Sequence, residues 1–145
     1  TKTDWIGCGI STNQTEMTQR IDQITPEAVA ELLTTNANHR TFAIIDVRDS
    51  DLGELIIHKA VNIPARNFRA TAPSLVSMFH TYDLIIVHCM YCQTRGPMCA
   101  QCLAQAFEAS PFKDSTTTVA ILRGGFCAFY SAFYDKPALF DQVKD

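Results

Sequence analysis

Charge is scarce in this chain of 145 residues: Asp, Glu, Lys and Arg together make up 19%, and the net charge is −3. There is no basic excess, so nothing supplies the positive field that a nucleic-acid sleeve needs. Long apolar runs are missing as well. Leu84–Val87 is among the longest aliphatic stretches, far short of the roughly 18 residues of a membrane helix. No stretch pairs a basic start with the apolar middle of a secretory signal. With 6 glycines and 6 prolines, no low-complexity tract or interdomain linker stands out. What remains is a chain 47% hydrophobic, in the ordinary globular range. Its length predicts one domain, at roughly 150 residues per domain, able to bury roughly 68–70% of its unfolded surface.

Cysteine is the exception to this scarcity. Of 6 cysteines, Cys89, Cys92, Cys99 and Cys102 crowd one short stretch, with Cys8 and Cys127 far away. Disulfide frameworks spread their half-cystines to tie distant segments. Crowding points instead to a reducing compartment, the cytoplasm or nucleus, and to a thiol with chemistry to do.

Residues 1–20 are polar and irregular, with Ser, Thr, Asn and Gln dominating Ser11–Thr18; a flexible arm is expected there, and one domain over 21–145. Thr25-Pro26-Glu27 predicts a helix start, with Thr as N-cap, Pro at the first helical position and an acid in the first turn. The pattern then predicts strands over Thr41–Val47, Ala60–Ile63, Leu84–His88 and Val119–Leu122. Helices are predicted over Ala72–His80, Gly96–Ala109 and Gly125–Tyr134. Alternating strands and helices imply an α/β fold with a mostly parallel sheet.

The informative segment is Leu84–Leu103. A buried strand runs into His88-Cys89; after five further residues comes Arg95, and Gly96-Pro97 opens a helix. In parallel sheets, ligands bind at the carboxyl ends of strands. A short loop there can curl its N–H groups into an anion cradle, and the following helix adds free N–H groups and its positive end. Arg95 supplies a planar fork for two oxyanion oxygens. Cys89, at the floor, would sit in a field that lowers a thiol pKa from roughly 8.5 toward 3.5–7.5. Thiolate attack on a tetrahedral oxyanion is the chemistry this spacing suits. The cradle is expected from the backbone of Met90, Tyr91, Cys92, Gln93, Thr94 and Arg95. His88 could support the thiolate or simply fill the core.

His-Cys-five-Arg resembles the signature loop of cysteine-based phosphatases. Four stretches in order are similar to the rhodanese-fold branch, the cell-division-cycle dual-specificity phosphatases and the eukaryotic arsenate reductases. They are Ile45–Asp49, Ala60–Pro64, His88–Pro97 and Leu122–Phe126. The resemblance implies a single rhodanese-like domain, Cys89 as nucleophile and Arg95 as the anion's clamp. It implies arsenate or a phosphate ester as substrate, a phosphoprotein among the candidates. No metal or organic cofactor is implied, only glutathione and glutaredoxin as reductant on the arsenate route. Sulfur-transferring rhodaneses usually have a loop one residue shorter, which counts against a thiosulfate sulfurtransferase. A non-catalytic anion-binding module is the remaining alternative.

The departures carry information too. The cell-cycle phosphatases have acids inside the loop; here it holds none, so the proton donor is unassigned. Cys92 stands where Ser or Thr is usual: it could pack like that residue or pair with Cys89 in a redox cycle. The family's Gly-His-Ile turn is replaced by Leu55-Ile56-Ile57, and Phe129 stands for the usual Trp. Cys89-x-x-Cys92 and Cys99-x-x-Cys102 imitate zinc knuckles. Helical spacing instead predicts a buried stripe of Met98, Cys99, Cys102, Leu103, Ala106 and Phe107. Phe126, Phe129, Tyr130, Phe133 and Tyr134 predict an aromatic core stripe. Among Asp46, Arg48, Asp49 and Asp51, structural ion pairing is expected rather than a metal, and Arg123 is expected to be structural.

Overall fold

The computed structural model describes residues 21–91 and 93–143. The expected arm over 1–20, Cys8 and Cys92 lie outside the described residues. The chain order is β1 (Ile21–Ile24), α1 (Pro26–Leu33), β2 (Phe42–Asp46), β3 (Leu55–Ile57), β4 (Val61–Asn62), α2 (Ala65–Phe79) and β5 (Leu84–His88). There follow α3 (Arg95–Glu108), β6 (Thr118–Leu122), α4 (Gly125–Phe133), a short 3-10 turn (Pro137–Leu139) and β7 (Phe140–Gln142).

Five strands form a sheet in the order β1-β6-β5-β2-β4, every pair parallel. Alternate residues of β5 face opposite sides, as period-2 geometry demands. Ile85 and Val87 pack with Phe68, Leu75 and Val76 of α2 and with Leu103 and Phe107 of α3. Leu84 and Ile86 pack with Val29 and Leu32 of α1 and with Phe126 and Phe129 of α4. A parallel sheet covered on both faces is the reason β5 reads as an unbroken apolar run. This is a rhodanese-like α/β fold.

The Thr25 hydroxyl accepts the Ala28 N–H at 3.1 Å, capping α1 as its sequence predicts. Helix α2 corrects the expectation over Ala72–His80: it begins at Ala65, well before Pro73. Proline removes one N–H from the helix ladder, yet buried Phe68 and Ala72 before it and Leu75 and Val76 after it hold the turns on either side against the sheet. Three strands go beyond the sequence reading. Ile21–Ile24 adds to the sheet's edge on β6. Leu55–Ile57, where the family motif departs, is a strand pairing antiparallel with Phe140–Gln142. His58 Nδ1, 3.0 Å from Asp141 Oδ1, fastens that ribbon.

Two stripes need correction. Met98 is 62% exposed, because the buried face of α3 runs through Pro97, Cys99, Ala100, Leu103, Ala104 and Phe107. On α4 only Phe126 and Phe129 are core; Tyr130 and Tyr134 are exposed, their rings successive along the outer face. Among the described residues no helix is long and apolar enough to cross a membrane.

Candidate active site

β5 ends at His88, in register with Asp46 at the end of β2. The chain leaves the sheet at Cys89 and re-enters helix at Arg95. The Cys89 side chain is 2% exposed, and the Gly96 N–H donates to its sulfur at 3.3 Å. No side chain caps the start of α3. In its first turn Pro97 has no N–H and the Met98 N–H bonds the Thr94 carbonyl, so the Gly96 N–H is the one turned to the loop cysteine. An N–H aimed at sulfur, at the positive end of a 14-residue helix, favours thiolate over thiol.

The opposite wall is α4. The Phe126 N–H donates to the Cys89 carbonyl at 2.9 Å, and the Cys127 N–H to the Met90 carbonyl at 2.8 Å. In a trans peptide, C=O and N–H point in opposite directions. Tying these two carbonyls to α4 therefore turns the Met90 and Tyr91 amides away from α4, free for an anion. Gly125 makes the approach feasible: at φ +65°, a Cβ there would lie 2.6 Å from the Met90 oxygen and 2.7 Å from the Cys89 oxygen. The glycine pair was legible as a tight turn; its contact with the loop was not.

Tyr91 is 60% exposed, Gln93 and Thr94 are exposed, and Met90 packs against the core under α4. Arg95 is not idle. Its Nη1 and Nη2 donate to Asp51 Oδ1 and Oδ2 at 2.9 and 2.6 Å. Asp51 Oδ1 also accepts the Asp49 N–H at 3.0 Å, so its own turn fixes the carboxylate. The guanidinium holds the Asp51 carboxyl below the usual range, and Asp51 in turn raises Arg95. Asp51 was grouped with structural acids in the sequence. Its partner lies 44 positions away, and only the strand order, β2 beside β5, brings them together.

Beneath the loop, Asp46 and Arg48 form the expected structural pair. Both are buried; Arg48 Nε and Nη2 bond Asp46 at 2.7–3.0 Å, and Nη2 also donates to the Leu55 carbonyl. The guanidinium lies 3.9 Å over the Phe126 ring. Asp49 pairs with Arg66. The His88 ring is fully buried, with Nδ1 3.2 Å from the Cys89 carbonyl. That contact assigns the proton to Nδ1, leaving Nε2 without a hydrogen-bond partner. Burial pushes the His88 pKa down, so the ring is neutral. Cys99 is a core thiol, pushed up to about 12 by burial, and Cys102 is also raised. Arg123, just past the end of β6, reaches across to β1, its Nε and Nη2 donating to Gln23 Oε1. Among the described residues no cluster of three metal-ligating side chains forms.

No family model matches the chain. It is 30% identical over 123 residues, 75% of its length and 88% of the relative's, to the dual specificity phosphatase ibp1 of Schizosaccharomyces pombe. The yeast protein tyrosine phosphatase Ygr203w of the rhodanese family superposes with a TM-score of 0.71 at 21% identity, over 83% of this chain and 91% of that one. The As-Sb reductase of Leishmania major superposes at 0.68 with 29% identity, over 83% and 85%. On its sequence match and its fold, the chain belongs to the rhodanese-fold cysteine phosphatase and arsenate reductase family.

Proposed function

We propose that this protein is a thiol-dependent oxyanion enzyme in which the Cys89 thiolate attacks arsenate or a phosphomonoester. The observation that carries the reading is the Gly96 N–H on the Cys89 sulfur, at a strand end walled by two helix starts. Arg95 and the amides of residues 90–95 bind the oxygens and stabilise charge as it builds.

With a phosphomonoester, sulfur bonds phosphorus as the ester P–O bond breaks, and the leaving oxygen takes a proton. Water then cleaves the P–S bond, releasing phosphate and restoring the thiolate. With arsenate, sulfur bonds arsenic and a protonated oxygen leaves as water. Glutathione thiolate next attacks the Cys89 sulfur. The S–As electron pair passes to arsenic, arsenite departs, and a mixed disulfide remains for glutaredoxin to reduce. Two electrons reach arsenic, and two thiols become a disulfide.

Leaving-group protonation separates the two routes. The loop offers no carboxylic acid, and Asp51 is held ionised by Arg95. Arsenate brings its own protons, and an aryl leaving group needs little help. The site therefore suits arsenate and aryl phosphates over alkyl phosphates. Likeness to a named phosphatase and a named As-Sb reductase supports both activities on one site. A reducing compartment, cytoplasm or nucleus, would keep Cys89 in its working state. A phosphoprotein carrying an aryl ester would be a natural partner.

The test compares an aryl phosphate, an alkyl phosphate, and arsenate with glutathione and glutaredoxin, using wild type and Cys89→Ser. Expected are aryl hydrolysis and arsenite release, both lost in the variant, with poor alkyl turnover. Phosphate binding without turnover of any of the three would leave an anion-binding module instead. Thiocyanate formation from thiosulfate and cyanide would point to a sulfurtransferase.

A further inference from the structure

The oxyanion reading needs Arg95 to present its fork inward, and one carboxylate decides where that fork points. A guanidinium has five N–H donors. Asp51 takes one from Nη1 and one from Nη2, the terminal edge. The Nε–Nη2 edge is the second place where two parallel hydrogen bonds can form, and among the described residues Nε has no acceptor. Asp51 is no loose surface acid, since the Asp49 N–H locks the same Oδ1. On the other side, Arg95 is the first residue of α3, immediately before the Gly96 N–H that meets Cys89. The Arg95 side chain is thus anchored at its base by the start of α3 and at its tip by Asp51.

We propose that Asp51 is the positioning residue of this site: it grips Arg95 by the terminal edge and reserves the Nε–Nη2 edge for two oxygens of the substrate. The proposal rests on the oxyanion reading above. Arg95 is about one-third exposed, and without Asp51 its long side chain would sample solvent rotamers. Ordering it would then be charged to each binding event. The opposing effect is repulsion between Asp51 and the incoming anion. Both partners are partly exposed, so solvent and salt screen that repulsion, whereas loss of orientation is not screened. Positioning should win at physiological ionic strength.

The probe is inorganic phosphate, titrated calorimetrically into wild type, Asp51→Ala, Arg95→Ala and the double variant, each checked for an unshifted thermal unfolding midpoint. Ordering one rotamer-rich side chain corresponds to phosphate binding weakened about threefold to tenfold in Asp51→Ala. Aryl phosphate kcat/KM should fall further, about tenfold to a hundredfold, mostly in kcat, because misplacement costs most in the transition state. The double variant should bind no worse than Arg95→Ala alone, since Asp51 acts only through that residue. Asp51→Asn should fall between wild type and Asp51→Ala, its amide oxygen keeping one acceptor. Unchanged or tighter phosphate binding in Asp51→Ala, or additive losses in the double variant, would overturn the positioning role. A loss confined to alkyl phosphates would also overturn it, making Asp51 a proton donor. If wild type binds no phosphate, or Arg95→Ala binds it equally well, the oxyanion reading falls and the positioning role with it.

Discussion

Replacing Gly125 with Ala should damage stability and catalysis together, because one residue serves both. At φ +65°, a side chain costs about 1–2 kcal/mol in backbone strain alone. The added Cβ would also stand 2.6 and 2.7 Å from the carbonyl oxygens of Met90 and Cys89. These are backbone atoms and cannot rotate aside. The first turn of α4 must withdraw, losing the Phe126 and Cys127 N–H bonds to those same oxygens. Two such bonds are worth about 0.5–1.5 kcal/mol each, giving a total of about 2–5 kcal/mol. Gly53→Ala is the control: φ is +69° there, but nothing lies within 4 Å of its Cβ, so only the strain of about 1–2 kcal/mol applies. Urea unfolding at constant m-value reads both. Aryl phosphate turnover should fall at least tenfold in Gly125→Ala and hold in Gly53→Ala. Equal destabilisation by the two substitutions, with the loop's activity intact, would refute the clamp of α4 on the loop.

Other outcomes follow from the same geometry. Asp46→Ala strands the buried Arg48 guanidinium and should cost about 3–5 kcal/mol in chemical unfolding; a loss within about 0.5 kcal/mol would contradict the pair's burial. His88 has its pKa lowered from 6.5 by burial, so below pH 6.5 the unfolded chain takes up a proton that the folded chain refuses. Stability should be full above that pH and decline as pH falls beneath it, by up to about 1.4 kcal/mol per pH unit. His88→Gln should flatten the decline; an unchanged slope would place the titration elsewhere. Cys99, at about 12, should resist iodoacetamide near neutral pH while the exposed Cys127 is alkylated, as peptide mass mapping would show.

The fold was legible where one signal dominated. Leu84–His88 had to be a buried parallel strand, and Thr25-Pro26-Glu27 had to start a helix. Legibility failed where tertiary partners decide. Leu55–Ile57 and Phe140–Gln142 are three residues each, too short for any period to register, and are strands only because each supplies the other's ladder. Arg66, Asn67 and Arg69 disguised the first turns of α2, which Phe68 and Ala72 anchor. Met98 fitted a helical stripe by spacing, but the true face is rotated by the sheet's position. At the candidate site, the placement of Cys89 after a strand and Arg95 at a helix start was readable because the two are close in sequence. Asp51 was visible only as an acid, since nothing local says which cation a carboxylate will meet.

The most direct test is to catch the reaction on sulfur. Wild type mixed with an aryl phosphate and quenched rapidly in alkaline denaturant, where the P–S bond survives, should carry one phosphoryl group on the peptide containing Cys89, and Cys89→Ser should carry none and turn nothing over. Steady turnover with an unmodified Cys89 peptide at every quench time, or undiminished turnover by Cys89→Ser, would contradict thiolate catalysis at this loop.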